Sequence, residues 1–305
     1  TRLIAYIAKA ADYVVGYTTT DGIYIDGEAI GHGDCSGPES ASVILRDTKV
    51  DFAVLECARG GILRAGLGFD KCSVSQITNI SSYQPGLKNI DTLEDLARVK
   101  AVVPKSTTVN GYAILNADDD LVYNMKEDLD CNVALFSVNP DNKRIREHCR
   151  NGGLAAITEN NNFVICKGKS KINIAKIKEV PLTFSGDSES NNKNILPAII
   201  ASFVNHISPA LIKHCLKTFI PSPELTPGRM NLFKFKNFKV LLDYAHNEGA
   251  YLELKKFMSR IKASVKVGVI SVPGDRRDED LRKLGFYAAE IFNEIIIKHD
   301  EARTR

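Results

Sequence analysis

Short apolar runs that end in polar residues, alternating with stretches of helical periodicity, constrain the fold of this chain more than any other feature. Residues 51–56 and 74–79 are such runs, with Gly60, Gly61, Gly66 and Gly68 between them. Strands of this kind are buried on both faces, the usual state of parallel strands in an α/β sheet. Leu3, Ile4, Ile7 and Ala8 repeat at helical spacing ahead of a strand-like run at 13–17. A helix is predicted over 92–103, with Asp91 as N-cap, Glu94 and Asp95 in the first turn, and Leu93, Leu96, Val99 and Val103 on one face. Strands at 111–116 and 133–138 complete an alternation that predicts a doubly wound, mostly parallel sheet.

From residue 151 to 182 the rhythm changes to short pieces at 154–158, 162–167 and 177–180, which predict a small antiparallel β appendage. Helices resume at about residue 191. The stretch from Ser222 to Gly228 holds Pro223 and Pro227 and predicts a domain boundary, giving domains of 1–221 and 222–305. Beyond it, strands are expected at 239–244, 266–272 and 294–298 and helices at 249–261 and 278–292, a second, Rossmann-like α/β rhythm.

Composition removes whole classes of function. At 305 residues, with 44% hydrophobic and 25% charged residues, the chain reads as a folded two-domain protein, neither disordered nor fibrous. Lys plus Arg number 40 against 37 Asp plus Glu, a net charge of +3 with mixed signs, so nucleic acid is not an expected partner. No apolar stretch reaches the roughly 18–20 residues of a membrane span, and no signal-peptide order is present at the start. The seven cysteines are scattered and never form a CxxC pair, which argues against a disulfide framework or a zinc site. A reducing cytoplasm is the expected location.

Ligands of open α/β sheets gather outside the carboxyl ends of the strands, which places Glu56 and Asn79 where chemistry is expected. Several blocks extend that reading: Tyr17-Thr-Thr-Thr-Asp-Gly-Ile-Tyr-Ile-Asp-Gly27, Gly33-Asp-Cys-Ser-Gly-Pro38, the run from Phe52 to Arg64, and Thr92 to Ala101. Later come Thr226-Pro-Gly-Arg-Met-Asn-Leu-Phe233, Asp243-Tyr-Ala-His-Asn247 and Pro273-Gly-Asp-Arg-Arg-Asp-Glu-Asp280. In order and spacing these blocks resemble the cyanophycin synthetases, in their Mur-ligase-like half, across nearly the whole chain.

The resemblance implies a Mur-ligase-like α/β central domain followed by a truncated Rossmann-like α/β domain. It implies an ATP-dependent amide ligase that activates a carboxylate as an acyl phosphate and lets an amine attack. The substrates implied are arginine and an aspartate polymer, the cofactors ATP and Mg²⁺. Peptidoglycan Mur ligases and poly-γ-glutamate ligases share this chemistry, so fold alone does not separate them. Oligomeric state is left open, a homo-oligomer included.

By the same resemblance Glu56 would hold magnesium, and Lys100 would hold a second ion as a carbamate. Ser36 and Gly37 would contact substrate, while Asn191 and Asn194 would lie near the adenine. Arg229 would reach ATP phosphate, a task suited to an always-charged fork donor. Asp243 would accept from the ribose hydroxyls, with His246 and Asn247 lining the wall nearby. Asp275, Arg276 and Arg277 would clamp substrate carboxylates. Read without the family, Lys100 is a solvated charge near a helix C-terminus, Arg229 a surface arginine and His246 a structural histidine.

Three departures from the family pattern bear on activity. A Gly-rich phosphate loop of the form G-x-x-G-K-T is absent from the 305 residues, and the match stops mid-domain, so a fragment truncated at both ends is the expectation. Gln84 occupies the place of a metal-binding histidine, and Glu248 follows Asn247 where a proline is usual. An inactive chain that keeps the fold and binds nucleotide or polymer weakly is therefore the alternative. Pro197 is expected to sit without strain only in a first helical turn.

Overall fold

A computed structural model describes residues 1–80, 90, 92–271 and 278–298. The chain divides into two compact units, one built from most residues up to Ile220, the other from Pro221 onward together with Asp187–Ser190.

The first unit opens with α1 (Arg2–Ala10), β1 (Val15–Thr19), β2 (Gly22–Ile25), β3 (Glu28–His32), α2 (Pro38–Arg46), β4 (Phe52–Val54) and α3 (Arg59–Ala65). Its four-stranded sheet runs β3-β2-β1-β4, with β1 parallel to β4 and antiparallel to β2. Asp26 and Gly27, at φ of 50° and 91°, form the two-residue turn between β2 and β3. Both residues must be left-handed there, so the turn twists with the strands.

A six-stranded sheet follows from β5 (Cys72–Ile77), α4 (Leu93–Lys105), β6 (Thr107–Asn116), α5 (Asp120–Asn124), β7 (Asn132–Ser137), α6 (Lys143–Arg150), β8 (Leu154–Glu159), β9 (Asn162–Lys167) and β10 (Ser170–Lys176). Strands β5 to β8 are mutually parallel, and β9 and β10 add antiparallel strands at the β8 edge. The antiparallel pieces expected as an appendage thus continue the main sheet. Residues 177–179, expected as a strand, form a 3-10 turn instead. The expected cap Asp91 lies outside the described residues; Thr92 caps α4, its hydroxyl accepting from Asp95 N–H while Asp95 accepts from Thr92 N–H.

Helices α7 (Glu189–Val204) and α8 (Pro209–Thr218) complete the unit. Pro197 lies in the middle of α7, against the expectation of a first-turn position. Packing outweighs the lost N–H: Ile195, Leu196, Ala198, Ile199 and Ile200 are all buried around it.

Ala113, Ile114 and Leu115 are consecutive and wholly buried, so β6 is covered on both faces. One face carries Ile77, Leu115, Leu135, Ile157 and Val164 against Leu96 of α4 and Ile145 of α6. Phe136 on β7 is 1% exposed. Phe136→Ala is expected to cost about 3–5 kcal/mol, read as a lower urea midpoint at unchanged slope.

The second unit contains β11 (Asn231–Lys234), β12 (Lys239–Leu242), α9 (Glu248–Arg260), β13 (Val267–Ile270), α10 (Asp278–Ile291) and β14 (Glu294–Ile297). Strands β11 and β12 form an antiparallel hairpin, and α10 links β13 to its parallel partner β14. Tyr251 of α9 meets Leu284, Ala288 and Ile291 of α10 in the core.

Candidate functional site

Glu56 lies in the loop that leaves β4, two residues past the strand end. Its backbone N–H donates to Oγ1 of Thr18 at 3.1 Å, a hydroxyl with no solvent exposure on neighbouring β1. The next turn is tied to the loop before α2, where Ala58 N–H donates to Ser36 O at 2.9 Å. Ser36 in turn donates to Oδ1 of Asp34 from its N–H at 3.2 Å and its hydroxyl at 2.5 Å.

Glycine makes this approach close. A Cβ on Gly61 of α3 would stand 3.0 Å from Gly37 Cα, and one on Gly68, at φ of 79°, only 2.5 Å from Pro38 O. The result is a small recess lined by Ser36, Gly37, Pro38, Glu56, Cys57 and Ala58, which gathers three of the expected site residues. Burial and the neighbouring Cys72 and Glu56 push the Cys57 thiol up to about 11, so it is no thiolate nucleophile near neutral pH.

Lys100 on α4 is half-buried, and its ammonium donates to Asn79 O at 3.4 Å. Burial holds its pKa below the usual lysine value, Asp119 pulls it back and Arg59 of α3 pushes it further down. Asp119 caps α5 through Val122 N–H at 3.1 Å and accepts from Ile80 N–H at 2.7 Å, so its charge is fixed beside the β5 exit. Asn191 and Asn194 share one side of the first turns of α7. Asn191 donates to Leu182 O at 2.7 Å, and Asn194 is exposed. Between them Asn192 is buried with its Oδ1 unpaired.

In the second unit, Arg229 lies with its guanidinium 5.3 Å above the Tyr244 ring. Asp243 accepts from Met230 N–H at 2.9 Å. Burial raises the Asp243 pKa, an effect opposed by the Met230 N–H, Arg229, the Ala245 N–H and His246. Nδ1 of His246 pairs with Tyr244 O at 2.9 Å. Asn247 caps α9, its Oδ1 accepting from Ala250 N–H at 3.0 Å. Arg229, Asp243 and His246 therefore lie close together, with Asn247 adjoining them as a helix cap.

Gln84, Asp275, Arg276 and Arg277 lie outside the described residues. Among the described residues no three His, Cys, Asp or Glu side chains converge on one point. Magnesium keeps several waters and is held by one or two carboxylates plus phosphate oxygens, and Glu56 is a carboxylate lining the recess. In the first unit Thr18, Asp34 and Asp119 hydrogen-bond to Glu56, Ser36 and Ile80, and in the second Asn231 bonds the turn that carries Arg229; none of the four was singled out from the sequence. Thr18, Asp34 and Asn231 lie inside the blocks quoted above, but burial of a polar side chain leaves no mark in a sequence.

The chain matches the Mur ligase middle domain family over residues 1–202. It is 46% identical over 301 residues to a cyanophycin synthetase of Geminocystis herdmanii, covering 99% of this chain and 34% of that protein. A cyanophycin synthetase of Trichormus variabilis is likewise 46% identical, with 33% of its length covered. The chain thus spans about a third of the length of these curated relatives. A UDP-N-acetylmuramyl-tripeptide synthetase of Treponema denticola is 26% identical over 94% of this chain and 56% of its own length. Among solved structures, E. coli FolC in complex with ADP aligns at a TM-score of 0.68 and 15% identity, over 99% of this chain and 72% of that one. MurF from Acinetobacter baumannii aligns at 0.67 and 16%, over 97% and 60%. The α/β fold is that of the Mur ligases, and among the described residues no helix is long and apolar enough to cross a membrane.

Proposed function

The chain belongs to the Mur ligase family, and on that premise we propose that it forms the nucleotide-handling part of an ATP-dependent amide ligase adding arginine to aspartate side chains of a polyaspartate. The observation that carries this reading is the small recess that Ser36, Gly37 and Glu56 line together.

In such a reaction a substrate carboxylate oxygen attacks the γ-phosphorus of ATP and ADP leaves. The arginine α-amine then attacks the acyl carbon, loses a proton, and phosphate departs. Little covalent work falls to the protein, so positioning and charge carry the catalysis. Magnesium would neutralise the phosphate oxygens as charge shifts between them. Glu56 would hold that ion, its backbone anchored by the hydrogen bond to Thr18. Lys100, already pushed toward its neutral amine, would add to CO₂ to give a carbamate with release of one proton, supplying one negative charge shared by two oxygens.

In the second unit Arg229 would supply the fork donor for phosphate. Asp243 would accept from ribose hydroxyls: a carboxylate offers about four lone-pair sites, and two are taken by the Met230 and Ala245 N–H groups. Asn247 would offer its amide nitrogen, since its oxygen caps α9. His246 is held in orientation by Tyr244 O. Asp275, Arg276 and Arg277 would clamp substrate carboxylates, and Gln84 would give magnesium one neutral oxygen.

The test is calorimetric titration with Mg-ATP to millimolar concentration, followed by arginine-dependent ADP release with an aspartate-polymer acceptor. Saturable, magnesium-dependent binding with hydroxylamine-trappable acyl phosphate is the expected result. No heat at millimolar nucleotide would identify a chain that keeps the fold without the nucleotide site.

A further inference from the structure

The turn that carries Arg229 is held by another side chain. Asn231 is 1% exposed. Its Oδ1 accepts from Gly228 N–H at 2.8 Å, while its Nδ2 donates to Thr226 O at 2.8 Å, to Thr226 Oγ1 at 3.2 Å and to Arg229 O at 3.4 Å. One buried amide thus binds Thr226 and Gly228, ahead of the arginine, and the arginine's own carbonyl.

The turn needs such a hold. Gly228 sits at φ of 65° and Met230 at 53°, a region that side chains with a Cβ avoid. Left free, Met230 would relax to negative φ and swing Arg229 away. Two further bonds meet the turn from β12's end: Met230 N–H donates to Asp243, and Tyr244 N–H donates to Gly228 O at 2.8 Å. Those bonds join the turn to Asp243 and Tyr244, the groups facing the guanidinium; Asn231 closes it from within.

The chemistry required is that of an amide. Gly228 N–H needs an acceptor, and the carbonyls of Thr226 and Arg229 need donors. Aspartate supplies only acceptors and would face those carbonyls with like dipoles, whereas leucine would leave Gly228 N–H without its acceptor and take a donor from each carbonyl, Thr226 O keeping the Arg229 N–H at 3.0 Å.

We infer that Asn231 is the positioning residue for Arg229, fixing the left-handed turn that presents the guanidinium over Tyr244 beside Asp243. The inference rests on the reading of Arg229 as a phosphate ligand for its catalytic consequence, but not for its structural one.

Asn231→Ala, Asn231→Asp, Arg229→Ala and the double variant Asn231→Ala/Arg229→Ala separate these. The first measurement needs no nucleotide: amide hydrogen exchange at Gly228, Met230 and Tyr244. Asn231→Ala is expected to remove protection at Gly228 and Met230 while α9 and α10 stay protected; unchanged protection overturns the inference. Asn231→Asp, the gentler change, keeps an acceptor for Gly228 and is expected to expose Met230 first, which keeps the test decisive if the alanine variant does not fold.

The second measurement is the KM for Mg-ATP against the KM for arginine. Asn231→Ala is expected to raise the former about tenfold or more, leave the latter alone, and add nothing to Arg229→Ala in the double variant. Additive losses, or a wild-type KM for Mg-ATP, overturn the positioning role. If Arg229→Ala itself has no effect on Mg-ATP, the phosphate reading fails, and the exchange result alone decides whether Asn231 holds the turn.

Discussion

Glu56→Gln is expected to lower the rate of magnesium- and ATP-dependent ligation by about 10²–10³-fold. The substitution keeps the size and shape of the side chain, and the backbone N–H that donates to Thr18 is untouched. What disappears is one negative charge on a hard oxygen ligand, which magnesium prefers over a neutral amide. Because fold and recess survive, the thermal midpoint should hold while the rate falls across a magnesium series. A variant with wild-type rates at every magnesium concentration would remove Glu56 from the site.

Lys100→Arg is the second large effect, a loss of about 100-fold or more. Arginine keeps the positive charge and much of the stem, but it is always protonated and forms no carbamate. Lysine here is already biased: burial and Arg59 hold its pKa below the usual value, so the neutral amine gains population at a lower pH than on an exposed lysine. Two observations check the idea together. Wild-type activity should fall in CO₂-depleted buffer and return with bicarbonate, more readily as pH rises, and Lys100→Arg should not respond. Full activity in Lys100→Arg would mean that a cation at this place is enough, and would sink the carbamate.

Strand and helix positions in the main sheet were legible wherever period and burial agree. The runs around Val74 and Val133 and the helix carrying Leu96 lie close to where their spacing put them, because each buries one apolar set against the same core. The strand near Asp51 shortened to Phe52–Val54, since its polar tail turns away to place Glu56. Residues 177–179 misled by composition: Ile177 is buried, but in a 3-10 turn held by Thr183 through its hydroxyl. Pro197 misled by a local rule that burial of the surrounding helix overrides.

By itself the sequence determined the α/β class, because hydrophobic period and glycine placement are local properties of the chain, while the candidate site residues came from the resemblance its blocks carry. Tertiary structure alone decided which of those residues meet. Ser36 and Glu56 come together only because β1 lies against β4 and α3 against α2, at a distance that only Gly61 and Gly68 permit. Tertiary structure also decided that Thr18 and Asn231, unremarkable as letters, are buried hydrogen-bond hubs, since a polar group acquires its energetic weight from the water that the fold removes around it.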